Sequence, residues 1–365
     1  MTASTVEQPA TGRRRATFHS LRVASVDRLC EDAVAVTFDV PDALRDAYAF
    51  APGQSVTLRK HIDGREERRS YSICAPAGAR LRVGVREVPG GMFSAWLVHE
   101  VRVGDEIEVQ TPTGAFSPAP GTAGRHVLVA AGSGITPVLS IAATLLAKPG
   151  AHVTLLYGNR RTSSVMFAEE LADLKDAHGP RFDLVHVLSR EPREVELFSG
   201  RLDGKRLRTI LALLVPLDAV DHVWLCGPFA MVTEARAVLA DLGIDKDRVH
   251  AELFYVDDVP PEPVRHEEAG IEGPSSEVTV ILDGRSTTLT LPRTMPVLDS
   301  AQASRSDLPF ACKGGVCGTC RAQVTAGEVD MRRNYALEDA EVDAGFVLTC
   351  QSFPLSDSIT VDYDG

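Results

Sequence analysis

The sequence contains no uninterrupted apolar run long enough to span a membrane. Its longest apolar stretch, residues 126–148, is broken by Gly132, Gly134 and Pro137, which predicts a strand, a glycine turn and a helix. Residues 1–17 carry three consecutive arginines without an apolar segment after them, so we expect no secretory signal there. These absences favour a cytoplasmic protein that does not act at a membrane.

Basic residues are in the minority, with 38 Lys and Arg against 50 Asp and Glu and a formal net charge of −12. Such a charge argues against nucleic acid as a partner, and it suits a protein partner with a basic docking face. The content of apolar residues, 44%, and of charged residues, 24%, is typical of globular proteins. A chain of 365 residues is long enough for two or three domains.

Cysteine is scarce as well, with seven residues in the chain. In a reducing compartment, clustered cysteines indicate metal or redox chemistry rather than disulfides. Cys30, Cys74 and Cys226 are scattered. The other four follow the pattern C-x4-C-x2-C with one distant cysteine, and they are Cys312, Cys317, Cys320 and Cys350.

This cysteine pattern has the spacing of plant-type [2Fe–2S] ligands. Each iron needs two thiolates, so the loop that carries three of them must curl tightly. We expect Gly314, Gly315 and Gly318 to supply the positive φ angles for that curl. A structural zinc site is the alternative, but it more often uses two separate C-x2-C pairs, and this chain has one.

The chain divides into three segments of different character. Residues 18–121 show six short alternating strands, which predict a small antiparallel β-barrel with one short helix at 92–101. Residues 124–255 alternate apolar strands with helices, as in a doubly wound α/β sheet. Residues 256–276 are rich in proline and acid and predict a linker. Residues 277–365 form a third domain that opens with a hairpin at 278–291.

Two motifs in the barrel segment suit a flavin. In Arg69-Ser70-Tyr71-Ser72 an arginine can bind a diphosphate and a tyrosine can stack on a flat ring. In Gly90-Gly91-Met92-Phe93-Ser94 a glycine turn opens a helix, whose free N–H groups favour phosphate. Taken alone, the first motif also fits an ordinary edge strand.

A nicotinamide site is indicated by turns that follow parallel strands. Gly132-Ser133-Gly134-Ile135-Thr136-Pro137 follows a buried strand and opens a helix, although it departs from G-x-G-x-x-G and fits a plain tight turn too. Cys226-Gly227 ends a later strand at the same sheet edge. Arg161 follows the second strand, and Ser189-Arg190 ends the third, where an arginine suits the 2′-phosphate of NADPH. NADH stays open as the alternative.

The third domain resembles plant-type ferredoxins over residues 277–364, which implies an α+β β-grasp fold. The flavin and nicotinamide motifs together resemble the ferredoxin–NADP reductase superfamily. That resemblance implies FAD as the flavin, with Arg69 on its phosphates, Tyr71 on its ring and Ser72 near its reactive nitrogen. It also implies that the glycine–serine turn, from Gly90, Gly91 and Met92 to Ser94, binds the flavin. Cys226 is implied beside the nicotinamide, with Ser72 and Cys226 the candidate catalytic residues. Phe254 is implied against the flavin, although it also fits a core position.

As a whole, the chain resembles oxygenase reductases with a C-terminal ferredoxin domain, in particular the reductase subunits of phenylacetyl-CoA ring epoxidases. The resemblance implies electron transfer from NADPH through FAD and [2Fe–2S] to a separate, di-iron, multisubunit oxygenase. The chain has no E-x-x-H pair for a di-iron site of its own. A reductase for another ring or steroid hydroxylase is the alternative. A redox sensor without catalysis is less consistent with intact flavin and nicotinamide motifs.

Overall fold

The computed structural model describes residues 17–62, 65–254, 274–282, 284–305 and 307–365. Within these ranges, no helix is both long and apolar enough to cross a membrane. The chain forms an antiparallel barrel, a parallel α/β sheet and a small mixed α+β domain, in that order. The predicted fold classes are therefore confirmed.

The barrel is a six-stranded antiparallel sheet in the order β4-β3-β6-β1-β2-β5. A single bridge between Ile73 and Val83 joins its two edges. One short helix, α1, covers the barrel end. The elements are β1 (Phe18–Cys30), β2 (Ala33–Asp39), β3 (Ser55–Ile62), β4 (Arg65–Ser72), β5 (Arg82–Arg86), α1 (Met92–His99) and β6 (Glu106–Gln110).

The second unit is a five-stranded parallel sheet with four helices. Its elements are β7 (Gly124–Ala131), α2 (Ile135–Leu146), β8 (Ala151–Asn159), α3 (Ala168–His178), β9 (Phe182–Leu188), α4 (Gly204–Leu214), β10 (His222–Gly227), α5 (Phe229–Asp241) and β11 (Val249–Leu253). The strand order is β11-β10-β7-β8-β9, so the chain runs outward from β7 to one side and then restarts on the other. Such a reversal opens a crevice at the carboxyl ends of β7 and β10, where ligands bind in folds of this class.

The barrel and the parallel sheet each have a hydrophobic core, and a third buried cluster contains residues of both. Cys74 and Phe116 of the barrel belong to the same buried cluster as Leu128 and Trp224 of the sheet. The rings of Phe116 and Trp224 meet edge to face at 5.4 Å. Because the two units bury apolar surface against each other, the flavin and nicotinamide motifs are held in a fixed relation.

The third unit has its own core and a five-stranded sheet in the order β13-β12-β18-β14-β16. Its elements are β12 (Ser275–Leu282), β13 (Arg285–Pro292), α6 (Val297–Ala301), β14 (Arg321–Ala326), β15 (Val329–Met331), α7 (Asp339–Asp343), β16 (Phe346–Leu348), β17 (Ser352–Pro354) and β18 (Ser358–Asp362). The first and last strands, β12 and β18, pair in parallel. The four cysteines of the motif lie outside the strands, in the loop before β14 and just after β16.

Three predicted boundaries differ from the structure. The predicted linker, 256–276, lies outside the described residues except at its end, where β12 already begins at Ser275. The reason is that the Ser276 hydroxyl is buried and donates to the Ser356 carbonyl, which ties this polar segment to the sheet. The resemblance to plant-type ferredoxins also implies a helix near residues 296–305, and the structure has a shorter helix there, at Val297–Ala301. The alternation of residue types predicts a strand over residues 70–74, whereas β4 covers Arg65–Ser72.

Candidate functional site

A cavity of about 3430 Å³ reaches all three units of the fold. It is lined by residues of the flavin motif, of the nucleotide loop and of the cysteine loop. The predicted site residues on its wall are Arg69, Tyr71, Ser72, Gly90, Gly91, Met92, Ser94, Thr136, Phe254, Cys312, Cys317 and Cys350. The structure therefore brings together all of the predicted flavin residues and three of the four predicted cluster ligands.

Strand β4 presents the flavin motif to this cavity. The Arg69 guanidinium donates to its neighbour's carbonyl at 2.7 Å and pairs with Glu67 at 2.9 Å. Its side chain keeps 48% exposure, so N–H groups remain accessible for a diphosphate. The Tyr71 ring lies 6.2 Å from that of Phe93 at a tilt of 33°. A positive group at the rim and an aromatic ring at the wall fit a flavin nucleotide.

The turn before α1 fits the phosphates of such a nucleotide. Gly90 has φ of 76°, which favours glycine, and Gly91 is the N-cap of α1 without a side-chain cap. The first turn of this helix contains no acidic residue. The Ser94 hydroxyl accepts from the Val88 N–H and donates to the Gly91 carbonyl, both at 3.0 Å. Ser94 thus shapes the turn, and backbone N–H groups at the start of α1 are available to a phosphate.

An acid on the cavity wall lies beside the two candidate catalytic residues. The Ser72 hydroxyl donates to Glu252 Oε2 at 3.3 Å, and Cys226 pairs with Glu252 in the register of β10 and β11. Burial raises the pKa of Glu252 to about 8, although the Ser72 hydrogen bond opposes the shift. Burial and the nearby Glu252 raise the pKa of the Cys226 thiol. The site therefore holds a protonated carboxyl and a neutral thiol at neutral pH.

Glu252 was missed in the sequence. The sequence does contain a signal for it, because Glu252 is the one acidic residue of the last strand of the parallel sheet, β11. Charged residues are rarely buried without a specific role or partner. Phe254 lines the cavity and also packs against the buried cluster that the barrel and the parallel sheet share, which is compatible with either of its two expected positions.

The nucleotide loop is built around close backbone contacts. Gly132 has φ of 56°, and its carbonyl accepts from the Tyr157 hydroxyl at 3.0 Å. A Cβ on Gly134 would lie 2.2 Å from the Cys226 carbonyl oxygen, so that loop packs directly on the end of β10. A Cβ on Gly227 would lie 2.7 Å from the Met231 side chain. Gly134 and Gly227 therefore permit close packing between the turn after β7 and the turn after β10.

Around this loop, the predicted residues divide into two groups. Thr136 lies on the cavity wall, and its hydroxyl donates to the Ser133 carbonyl at 3.0 Å inside the turn. The others are not among the residues that line the cavity. They are Gly132, Gly134, Pro137, Cys226 and Gly227.

The residues expected at the 2′-phosphate lie at the ends of β8 and β9, away from the cavity. The Ser189 N–H donates to the Asn159 carbonyl, and the Arg190 N–H donates to the Arg160 carbonyl, both at 2.8 Å. These bonds place Ser189 and Arg190 next to the turn that holds Arg161. Arginines from two turns thus share one edge, which fits a phosphate.

An acid shares that edge. The Glu191 carboxylate accepts from the Thr162 N–H at 2.8 Å and from the Thr162 hydroxyl at 2.7 Å. These hydrogen bonds lower the pKa of Glu191. A fixed carboxylate can accept a hydrogen bond from a ribose 2′-hydroxyl, which is a feature of NADH sites.

The four cysteine thiols meet in two pairs, Cys312 with Cys317 and Cys320 with Cys350. The hydrogen bond from Cys317, with backbone N–H groups that include that of Gly314, lowers the pKa of Cys312. Over the described ranges, no three His, Cys, Asp or Glu side chains are arranged around a single metal ion. Two facing pairs fit a two-iron cluster, in which each iron takes two thiolates.

One prediction about the cysteine loop was wrong. Gly315 and Gly318 have positive φ angles of 80° and 66°, but Gly314 does not, and Lys313 adopts the left-handed conformation with φ of 53°. Gly314 instead donates its N–H to Cys312 Sγ at 3.3 Å. Lys313 tolerates its strained backbone because its ammonium donates to Asp299 Oδ1 at 2.7 Å.

Three family models match the chain. They are an oxidoreductase FAD-binding domain at residues 20–117, an oxidoreductase NAD-binding domain at residues 128–237 and a 2Fe-2S iron-sulfur cluster binding domain at residues 280–355. These matches assign FAD to the barrel, a nicotinamide dinucleotide to the parallel sheet and the iron–sulfur cluster to the third unit.

Known proteins are similar over almost the whole chain. One of the subunits of 1,2-phenylacetyl-CoA epoxidase from Escherichia coli is 42% identical, over 95% of this chain and 98% of its own. The ferredoxin reductase component of 3-ketosteroid-9-alpha-monooxygenase from Mycobacterium tuberculosis is 36% identical, over 94% and 95%.

A solved structure has the same modular fold. Phthalate dioxygenase reductase, described as a modular structure for electron transfer from pyridine nucleotides to [2Fe-2S], matches with a TM-score of 0.60 and 24% identity. The match covers 94% of this chain and 98% of that one. From the site geometry, the three domain matches and the two relatives, the chain belongs to the ferredoxin–NADP reductase superfamily, as an oxidoreductase of the oxygenase-reductase type with a C-terminal [2Fe–2S] domain.

Proposed function

We propose that this chain takes electrons from NADPH and delivers them, by way of FAD and a [2Fe–2S] cluster, to the oxygenase component of a phenylacetyl-CoA epoxidase. The observation that carries the proposal is the single cavity shared by the flavin strand, the nucleotide loop and the cysteine loop. The 42% identity to a protein of the phenylacetyl-CoA epoxidase system supports the choice of partner. The residue roles and the domain limits, at 18–121, 124–255 and 275–365, belong to this proposal.

Residues of this chain position and shield the reaction. Arg69 and the α1 turn would hold the flavin phosphates, Tyr71 and Phe254 would pack on its flat ring, and buried Cys226 would help exclude water from the nicotinamide site. When bound, a flavin accepts two electrons as hydride and releases them singly, as a one-electron cluster requires. Glu252 holds a proton next to Ser72, which keeps an extra negative charge away from the hydride acceptor.

The partner is proposed as a separate, multisubunit oxygenase that carries its own di-iron centre and meets this chain in the cytoplasm. A steroid hydroxylase is the second candidate, because the 3-ketosteroid-9-alpha-monooxygenase reductase component is 36% identical over 94% of the chain.

The partner can be tested by reconstitution. With NADPH and the purified chain, the oxygenase of a phenylacetyl-CoA epoxidase should turn over at least about ten-fold faster than that of a 3-ketosteroid hydroxylase, because docking surfaces discriminate partners. Product formation is measured by chromatography, with ferricyanide reduction as the control for reductase activity. The reverse order would favour the steroid system.

Replacement of Cys350 by serine should abolish the iron–sulfur absorbance and electron paramagnetic resonance signal, because one iron loses half of its thiolate ligands. NADPH should still reduce the flavin, since the first two units share a core that excludes the third. Cys30→Ser, which changes a cysteine outside the motif, is the matched control and should leave both signals intact. A normal two-iron spectrum in Cys350→Ser would sink the cluster assignment.

For the choice of nucleotide, Arg190→Ala should weaken NADPH use and spare NADH, because only NADPH carries the 2′-phosphate. One lost charge-assisted hydrogen bond costs about 1.5–3 kcal/mol, which corresponds to a roughly 10- to 150-fold fall in kcat/KM for NADPH. Arg208→Ala, an arginine paired with Asp241 elsewhere in the same domain, is the control. Equal losses with both nucleotides, or a wild-type preference for NADH, would point to Glu191 as the specificity residue.

Glu252 should make stability depend on pH. Its ordinary pKa of 4.5 is raised to about 8 in the folded protein, so between these values the unfolded chain has lost a proton that the folded chain keeps. Glu252 therefore lowers the free energy of unfolding as pH rises through this window. Glu252→Gln, in flavin-free protein, should gain stability over wild type progressively across the window, and exposed Glu100→Gln should not. If the difference in free energy of unfolding between Glu252→Gln and wild type is the same at every pH, the raised pKa of Glu252 is contradicted.

A further inference from the structure

One arginine of the barrel lies in the contact with the ferredoxin domain. Arg68 follows Glu67 on β4 and directly precedes Arg69, which we assign to the flavin phosphates. Its side chain is only 4% exposed. Part of that burial comes from the other domain, because the guanidinium donates to the Leu308 carbonyl at 3.4 Å and lies 4.6 Å from the centre of the Phe310 ring.

Within the barrel, the charge of Arg68 is balanced. Glu66 accepts from its guanidinium at 2.6 and 2.7 Å, and Arg59 is paired with Glu108 alongside. Burial lowers the pKa of Arg68, and the Glu66 carboxylate opposes that shift. The Phe18 ring lies 5.4 Å from the same guanidinium. Barrel residues therefore fix Arg68 in place and leave its flat group in contact with the ferredoxin domain.

On the ferredoxin side, the contact belongs to the cysteine loop itself. Phe310 is two residues before Cys312 in sequence. Its ring is approached by Arg68 and also by the Lys313 ammonium, at 4.8 Å. The Lys313 carbonyl in turn accepts from the Gln351 amide at 2.8 Å, next to the fourth cysteine. Movement of Phe310 would thus be transmitted to the ligand loop.

A second contact supports the same loop from the nucleotide domain. The Phe229 ring, which follows the Cys226-Gly227 turn, meets the Tyr335 ring at 5.6 Å and 72°. The Tyr335 N–H donates to the Gly315 carbonyl at 3.1 Å. The cysteine loop is therefore held at one end through Phe310 and in its middle through Tyr335.

We propose that Arg68 is a positioning residue for electron transfer, which holds the ferredoxin domain against the flavin barrel by binding Phe310 and the Leu308 carbonyl. This inference rests on the proposed electron path from flavin to cluster. Arg68 does not touch the substrate; it acts through the orientation of the cysteine loop. Its flat cation on an aromatic ring gives a contact that is specific in direction and that can also be released.

The test uses the holoenzyme with Arg68→Gln, Phe310→Leu and the double variant. Arg332→Gln is the control. The Arg332 guanidinium lies 3.5 Å from the centre of the Phe353 ring inside the ferredoxin domain, so this substitution removes a similar cation–aromatic pair that does not join two domains. Stopped-flow absorbance follows flavin reduction by NADPH and then cluster reduction. Hydrogen exchange of the peptide covering residues 308–313 reports docking without activity.

Each single variant should slow cluster reduction by about ten-fold, as expected for a lost desolvated cation–π pair, and leave flavin reduction within about two-fold of wild type. Exchange at 308–313 should rise in Arg68→Gln, although the change lies in another domain. The double variant should be no slower than the slower single variant, because both changes remove one contact. Arg332→Gln should match wild type in all three readouts.

The role of Arg68 would be overturned if both single variants reduce the cluster at the wild-type rate. It would also be overturned if the fold-decrease in the double variant equals the product of the fold-decreases in the two single variants. If Arg68→Gln fails to fold, Phe310→Leu tests the same contact from the other domain. If the wild-type flavin is reduced but the cluster never is, the proposed electron path fails instead, and the two failures are thereby distinguished.

Discussion

The packing of the barrel against the parallel sheet determines where every other part of the site lies. Strand β5 and helix α2 approach so closely that a Cβ on Gly84 would lie 2.6 Å from the Thr136 side chain. The Ser140 hydroxyl donates across the same boundary to the Ala75 carbonyl at 2.6 Å. Hydride transfer tolerates little error in the distance between donor and acceptor, so two halves of one site need a shared core rather than a hinge.

The ferredoxin unit is joined on different physical terms. Its core is separate, and the described contacts with the rest of the chain include an arginine on an aromatic ring and a pair of aromatic rings. Such contacts are weaker than a shared core, and they can form and break during a catalytic cycle. The molecule thus combines two domains that share buried apolar packing with a third domain that has a core of its own and meets them through side-chain contacts.

Sequence patterns predicted the fold classes and the presence of a [2Fe–2S] domain, because both depend on local signals. The cysteine spacing and the alternation of strands and helices are visible within short windows. Glu252 was missed because its importance arises from burial beside Ser72, a residue far away in sequence. The positive φ of Lys313 was missed for a similar reason, since Asp299 stabilises that residue from another element. The docking role of Arg68 depends on contacts across domains, which no local pattern contains.

The central position of β18 has a consequence for biosynthesis. This strand (Ser358–Asp362) lies between β12 and β14, and the Tyr363 hydroxyl donates to Thr349 Oγ1 beside Cys350. A nascent chain that has not yet released these residues from the ribosome cannot complete the sheet or fix the fourth thiolate. Because the barrel and the nucleotide sheet are complete earlier in the chain, we expect them to fold first and iron–sulfur insertion to follow completion of the last sheet.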